Sequence, residues 1–522
     1  MRLRAFLLPC LLSFFVALAA AFWVRSPGYM DADYYYATAI GLARGEGFRE
    51  SFLWNYLDDP TGLPHPSHLY WMPLTTMTAA LPMALAEGGF RTAQFPFLLL
   101  TALLPAVSGL LAFSLSNRRD LALQAAYLSA LPGFFLPFFV TTDAFSLCAV
   151  LGGLLLLTLQ RSQQAGLARW LLVGALVGAA HLARADGLLW LIPCAWVWLT
   201  RSHRRPLGLL AMLAGYAAIM APWWFRNLNT VGVAFPPGGA KALWLTSYDE
   251  LFTYPAALLT PAHWLASGFP AIVRARLDAL LMNTRSLVLV NGLVFLLPLA
   301  GLAAWQQRRS PAVVAGTAYL LVLLTSMSLV FPFAGARGGF FHSSAFLMPL
   351  VWSLAPTGLA ISVTWASARR GWNLAQAGKV FAVAAIVLAA GLTAGIFAVR
   401  AIGPDPGAPR WQAGAAYADR VAESLARLDV SLSVAAVNNP PALQAASSRP
   451  AVVIPDGGVE ALQAVADRYD VRWVVLDANR PEGLRSLYEN PSLVPWLRLE
   501  ATLDGMNGKA FVLRVVQDGQ GG

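Results

Sequence analysis

Apolar residues run over spanning or near-spanning lengths at 5–24, 70–87, 92–115, 121–140, 144–160, 167–183, 187–200, 206–225, 286–304, 311–331, 343–364 and 380–399. A helix needs about 20 apolar residues to cross the hydrocarbon core of a bilayer. The pattern therefore predicts a mainly α, polytopic bundle of transmembrane helices. Two gaps between the runs, 25–69 and 226–285, are too long to be simple connectors, and long loops usually carry function. Within them, YYYATAIGLA at 34–43 reads as a short amphipathic helix, and Trp244, Tyr248, Tyr254 and Trp264 mark a second interfacial group. After Arg400 the pattern changes. A Gly/Pro linker, IGPDPGAP, leads into a helical pattern over 411–428. Then β-rich runs at 432–437, 451–454, 472–476, 497–503 and 511–516 alternate with helical patterns around 458–468 and 481–489. This alternation predicts a small soluble α/β domain, so the chain divides into a membrane part, 1–400, and a C-terminal domain, 401–522.

Charge orients the bundle. Arg2 and Arg4, Arg118 and Arg119, Arg161 and Arg169, Arg201 with Arg204 and Arg205, Arg308 and Arg309, and Arg369, Arg370 and Lys379 occupy alternate connections. By the positive-inside rule these face the cytoplasm. Residues 25–69 then lie outside while 117–119 lie inside, which leaves an odd number of crossings for two apolar runs. The 70–87 run is the weaker, since Pro73 and Pro82 interrupt it and Glu87 closes it. About eleven spans follow, with about thirteen as the other count that keeps both ends in place. Either places the N-terminus in the cytoplasm and 401–522 outside, in a cell (inner) membrane. The first run, behind Arg2 and Arg4 and ending near Ala19–Ala21, also has the outline of a signal peptide. Its spanning length favours a retained helix.

Composition narrows the function classes. With 57% hydrophobic and 12% charged residues, most of the chain belongs in lipid, and its net charge of +10 is gathered in short loops rather than in a nucleic-acid-binding face. Cys10, Cys148 and Cys194 sit in apolar runs without paired spacing, so they suggest neither disulfides nor a cysteine metal site. The C-terminal domain has no GxGxxG, GxSxG or P-loop pattern, which points the search for chemistry to the loops.

Asp31 and Asp33 stand just after the first span. Near a low dielectric a carboxylate's pKa rises, which suits a general base; an N-cap for the 34–43 helix explains the same acids equally well. His65 and His68, preceded by Asp58 and Asp59, are compatible with a divalent cation, although two prolines leave the helix geometry open and hydrogen-bonding interfacial histidines fit as well. Arg184 in HLARADG, Arg226 in PWWFRN and Arg337 in GARGGFFH fall at outer span ends, where the charge rule otherwise removes arginine. Guanidinium groups there suit an anion such as phosphate, against which stands plain snorkelling to headgroups.

These features together resemble the polyprenyl-phosphate-sugar glycosyltransferases of the C-type membrane fold, and in particular the protein O-mannosyltransferase and aminoarabinose transferase families. The likeness rests mostly on "DADYYYATAIGLARGEGF" through "WNYLDDPTGLPHPSHLYWMPL", with support from "HLARADGLL", "APWWFRNLNTVG" and "RGGFFHSSAFLMP". It implies transfer of a sugar from a polyprenyl-phosphate carrier to a lipid, protein or polysaccharide acceptor outside the cytoplasm. It also implies a first-loop Asp as base, here Asp33 or Asp31; the sequence departs from the usual adjacent Asp-Glu pair by inserting Ala32. Donor binding would fall to Arg184, Arg226 and Arg337, with Lys241, His65, His68, Tyr70 and His342 as further substrate-binding candidates. No cofactor is required by such chemistry, although a divalent cation is compatible with it. A transporter or flippase is the rival reading, but the sequence shows no internal repeat and the charges gather at outer ends rather than mid-span. A scaffold whose outer domain binds other proteins is a third, and it makes the first-loop acids dispensable.

Overall fold

The computed structural model describes residues 3–161, 166–201, 206–236 and 238–516; Arg2, Arg204 and Arg205 of the basic loops lie outside the described residues. The chain is a multi-span helical membrane protein with a small sheet region. Among the described residues, six helices are long and apolar enough to cross a membrane: Leu3–Trp23, Phe90–Ser116, Pro206–Val231, Pro311–Val330, Pro332–Arg370 and Leu374–Ile402. Two bent pairs, Arg119–Ser129 with Gly133–Phe139 and Phe269–Asn291 with Leu296–Gln306, bring the number to eight. Shorter apolar helices occupy Leu74–Leu85, Phe145–Gln160, Leu167–Ala183 and Ala185–Thr200. Of the eleven segments expected to span, nine fall on single helices of this set, and the other two, 121–140 and 286–304, fall on the two pairs, bent by 43° and 95°. The remaining run, 70–87, forms a helix of 12 residues. Its rise of about 18 Å is well short of the roughly 30 Å hydrocarbon core.

Local sequence explains where the helices stop and how closely they pack. Asn117, at φ 54°, ends Phe90–Ser116, and Gly371, at φ 66°, ends Met348–Arg370; both are left-handed caps beside the basic pairs that mark loops. Helices Leu167–Ala183 and Pro206–Val231 approach through glycine. A Cβ at Gly174 would lie 1.8 Å from the Met212 carbonyl oxygen, and one at Gly215 would lie 2.0 Å from that of Leu171. Small residues are what allow such backbone contact in lipid, where apolar side chains gain nothing from association alone.

The strands after residue 400 lie where the alternation places them, and they build a six-stranded sheet. Its order is Phe52–Leu53, Ala451–Val453, Val434–Val437, Val471–Leu476, Lys509–Val515, Leu497–Asp504. The first four are parallel and the last two pair antiparallel. One edge strand, Phe52–Leu53, thus comes from the first loop, a pairing that two residues of pattern cannot announce. Helix Ala413–Leu428 covers one face with Val421 and Leu425, and helix Gly458–Tyr469 covers the other with Leu462 and Val465. The helix Pro440–Ser447, started by Pro440 and capped by the Asn439 side chain, is an element that the apolar pattern does not mark. Polar contacts stitch loop to sheet. Tyr56 donates to the Val453 carbonyl, Tyr469 donates to that of Pro60 at 2.7 Å, and Arg468 pairs with Asp59 at 3.2 Å.

Candidate active site

The first-loop helix begins at Met30 and runs to Ala43. Its start is fixed by Gly28, at φ 98°, where a Cβ would come within 2.4 Å of the Trp411 indole nitrogen. Residues two apart on a helix point about 200° apart around its axis. Asp31 and Asp33 therefore leave opposite sides of the helix, and the structure uses each side differently.

Asp31 faces a cluster built from three distant segments. Its Oδ2 lies 3.4 Å from His342 Nε2, and Asp143 Oδ2 lies 3.0 Å from the same nitrogen. Tyr29 donates to Asp143 Oδ2 at 2.5 Å, and the backbone N–H of Ala144 donates to the other oxygen, also at 2.5 Å. Phe145 stacks on the His342 ring at 4.2 Å. The Nδ1–H of His342 donates to the Gly338 carbonyl at 2.9 Å, which assigns the other nitrogen to the carboxylates. Burial raises the Asp31 carboxyl above its ordinary range, and the His342 imidazole offsets this only in part. For Asp143, burial pulls upward too, but His342 and the Tyr29 hydroxyl outweigh it and hold the carboxyl low.

Asp31 and His342 open into a cavity of about 350 Å³ whose wall also carries Tyr70, Arg184, Arg337 and Arg480. Arg184 Nε donates to Asp186 at 3.3 Å and to Ser343 Oγ at 3.1 Å, so its guanidinium is held in place. Arg337, just before a kink at Gly338, where φ is 135°, lies 4.8 Å from the centre of the Tyr248 ring. Arg480 lies 4.3 Å from the Tyr488 ring, and its buried Nε has no hydrogen-bond partner. Among the described residues, neither Arg337 nor Arg480 has a carboxylate within ion-pair distance. Three guanidiniums, two of them outside any close ion pair, outnumber the Asp31 and Asp249 carboxylates on the same wall and make the cavity a seat for an anion.

The other sequence candidates stand elsewhere. Asp33 is buried, with Oδ2 accepting from Asn439 Nδ2 at 2.8 Å, and burial pushes its carboxyl up to about 7. Arg226 donates to the Phe48 carbonyl at 2.7 Å and lies 4.7 Å from the Trp223 ring, away from the cavity. Lys241 ends the short helix Gly238–Lys241 and does not line the cavity. His65 sits between Glu50, at 3.6 Å, and Asp58, at 3.2 Å. His68 bonds instead to Ser67 and Thr76 at 2.7 and 2.8 Å, and burial with nearby Arg226 pushes it down to about 3. The two histidines thus face different partners and share no ligand position.

Three residues in or beside the cavity escape a reading of the sequence. Asp143 follows two threonines between two apolar runs, where an acid in so apolar a surrounding was itself a signal. Tyr29 and Arg480 carry no such mark, because their roles depend on how distant segments dock.

No family model matches the chain, and no curated protein matches its sequence. Solved structures match in fold. The archaeal oligosaccharyltransferase AglB from Archaeoglobus fulgidus, in complex with an inhibitory peptide and a dolichol-phosphate, superposes with TM-score 0.57 at 14% identity, over 91% of this chain and 69% of that one. ArnT from Cupriavidus metallidurans bound to undecaprenyl phosphate gives TM-score 0.52 at 14% identity, over 97% of this chain and 98% of the other. The mycobacterial arabinofuranosyltransferase AftD gives 0.50 at 14% identity, over 99% of this chain and 40% of the larger one. The fold is therefore the C-type fold of membrane glycosyltransferases, as the sequence resemblance implies.

Proposed function

We propose that this chain transfers a sugar from a polyprenyl-phosphate carrier to an acceptor hydroxyl on the extracytoplasmic face of the membrane. The observation that carries the reading is the meeting of Asp31, Arg184 and Arg337 in one cavity, with His342 and Asp143 behind Asp31. Neighbours of the same fold bind dolichol-phosphate and undecaprenyl phosphate, which are carriers of this chemistry.

The residues divide the work. The acceptor oxygen attacks the anomeric carbon as the bond from that carbon to the phosphate oxygen breaks. The electron pair leaves with the polyprenyl phosphate, and the acceptor's proton passes to Asp31. A raised carboxyl is a stronger base than an ordinary one, and positioned proton transfer typically contributes about 10²–10⁴-fold. Arg184, Arg337 and Arg480 surround the position where the phosphate gains charge, so their grip strengthens as the bond breaks.

Asp31, Asp143 and His342 also fit a divalent cation, since one ligand atom from each lies within 4.8 Å of the others. Two carboxylates and an imidazole whose Nε2 is turned toward them form a donor set that suits zinc or manganese. A cation held there would supply positive charge beside the departing phosphate.

The test is reconstitution in liposomes with radiolabelled polyprenyl-phosphate hexoses and pentoses, scored for release of free carrier phosphate. Release by the wild type that Asp31→Asn abolishes supports the reading. Carrier that crosses the bilayer with its sugar bond intact would instead mark a flippase.

A further inference from the structure

Beside the cavity of Asp31 lies a second one, of about 290 Å³, and Met30, Asn438 and Asn479 belong to the walls of both. Its position follows from the sheet. The chain leaves Val434–Val437 through helix Pro440–Ser447 to the strand on one side, Ala451–Val453, then crosses back through helix Gly458–Tyr469 to Val471–Leu476 on the other side. The two helices cover opposite faces. At such a reversal a crevice opens beyond the carboxyl ends of the parallel strands, and open α/β sheets place ligands there. Asn438 and Asp477 are the first residues past the ends of those two strands.

The lining has a definite chemistry. Asn438, Asn439, Asn479 and Asn507 supply amides, with Tyr417 and Asp477 beside them, while helix Ala413–Leu428 contributes an apolar wall. Asp477 is buried and accepts from the Tyr417 hydroxyl at 3.0 Å, from Asn438 Nδ2 at 2.5 Å and from the Asn479 backbone N–H at 2.8 Å. Asn439 is fixed at both ends, since Oδ1 accepts from the Ala442 N–H at 3.2 Å and Nδ2 donates to Asp33 at 2.8 Å. Among the described residues, no Lys, Arg or His lines this cavity, in contrast to the three guanidiniums of its neighbour. An arrangement of amides, a phenol and a carboxylate over an apolar wall matches a neutral molecule rich in hydroxyls, each of which both donates and accepts, and offers nothing for a phosphate.

We propose that this second cavity is the acceptor subsite and that it takes a neutral, hydroxyl-rich glycan, whose attacking hydroxyl reaches Asp31 past Met30 and Asn438. The inference rests on the transferase reading of the first cavity. Asp33 then has a role distinct from that of Asp31: it is a positioning residue, tying the helix that carries the base to the Asn439 wall of the acceptor site.

The test separates binding from transfer. The full chain in lipid nanodiscs is titrated, without donor, with neutral trisaccharides of hexoses and of pentoses and with a neutral hexapeptide, and binding is followed by saturation-transfer NMR. At least one trisaccharide is expected to bind, about tenfold more weakly in Asn438→Ala and in Asn507→Ala, the loss expected for a hydrogen-bonding amide. Asn507 lies in the turn between the last two strands, so its variant keeps the test valid if Asn438→Ala fails to fold. Failure of every saccharide to bind, binding indifferent to Asn507→Ala, or preferential binding of the peptide would overturn the proposal. Since no donor is present, saccharide binding by a chain that releases no carrier phosphate would refute the transferase reading alone. For Asp33, Asp33→Ala should raise the acceptor KM by a larger factor than it slows donor cleavage by water; equal loss of both would remove its positioning role.

Discussion

Asp31 and His342 lie 3.4 Å apart, Oδ2 to Nε2, although one belongs to the first loop and the other to a late membrane helix. That contact makes Asp31 the acid that faces the cavity, while Asp33 turns to Asn439. Replacing Asp31 by Asn keeps its size and removes its basicity, so sugar transfer should fall by about 10²–10⁴-fold. Asp33→Asn keeps an oxygen able to accept from Asn439, and its transfer rate at saturating acceptor should stay within about tenfold of wild type. Initial rates on a labelled polyprenyl-phosphate sugar decide it, and equal losses in both variants would end the assignment of separate roles.

The fold was largely legible before the structure, because periodicity reports on one segment at a time. Apolar runs give the helices, and alternation after Arg400 gives five strands. The site was legible only in part. Asp31, Arg184 and Arg337 were visible because charge at the edge of lipid is costly and so stands out. The choice between Asp31 and Asp33 was hidden, since it depends on which side of one helix meets His342 and which meets Asn439. Arg226 shows the reverse case. Its position at an outer span end looked like that of Arg184, yet its guanidinium serves the Phe48 carbonyl and the Trp223 ring, contacts made by a loop whose path no local pattern encodes.

The guanidiniums of the cavity differ in what else they hold. Arg337 and Arg480 rest on tyrosine rings, whereas Arg184 is tied to Asp186 and Ser343. A charge-assisted hydrogen bond contributes about 1.5–3 kcal/mol, so Arg337→Ala and Arg480→Ala should each weaken carrier-phosphate binding by about 10- to 100-fold. Arg226→Ala should instead lower thermal stability and leave carrier affinity near wild type. Microscale binding of a short-chain polyprenyl phosphate, alongside melting curves in detergent, distinguishes the two effects; unaltered affinity in both cavity variants would argue against an anion seat.

If Asp31, Asp143 and His342 hold a cation, the site should be measurable without any substrate. Manganese added to the chelator-treated chain should give a bound-ion EPR signal, and Asp143→Ala, which removes a ligand behind the base, should abolish it. A signal of the same strength in that variant places the ion elsewhere.

His65 sets a pH dependence on the first loop. Burial alone would lower its pKa, but Asp58 and Glu50 on its two sides prevail and raise it to about 9. Burial keeps Glu50 itself above its usual range in spite of His65. The sign follows from the raised imidazole. The folded chain holds the proton more tightly than the unfolded one, so the contribution is complete below about 6.5 and is lost as pH rises through about 9. Wild type should therefore lose thermal stability between these limits relative to its own value at low pH, and His65→Gln should not show that decline. Parallel curves for the two chains would remove His65 as the source.

The sidedness of the sheet region can be argued from two hydrogen bonds. Trp411 donates from its indole nitrogen to the Ser26 carbonyl at 3.1 Å, and Gln412 donates to that of Trp23 at 2.8 Å. The end of the first helix and the start of the C-terminal region are thus in contact, and the positive-inside rule predicts that both lie across the membrane from the basic loops at Arg118–Arg119 and Arg369–Arg370. A cysteine placed at Glu423, an exposed position on helix Ala413–Leu428, should react with a membrane-impermeant maleimide added to intact cells. One placed at Arg119 should react only after the membrane is permeabilised. Cys148 and Cys194 are buried, and Cys10 lies within the first helix, so the native thiols leave the background low. Protection at 423 with labelling at 119 in intact cells would invert the topology and move the cavity of Asp31 to the cytoplasmic face, away from any extracytoplasmic acceptor.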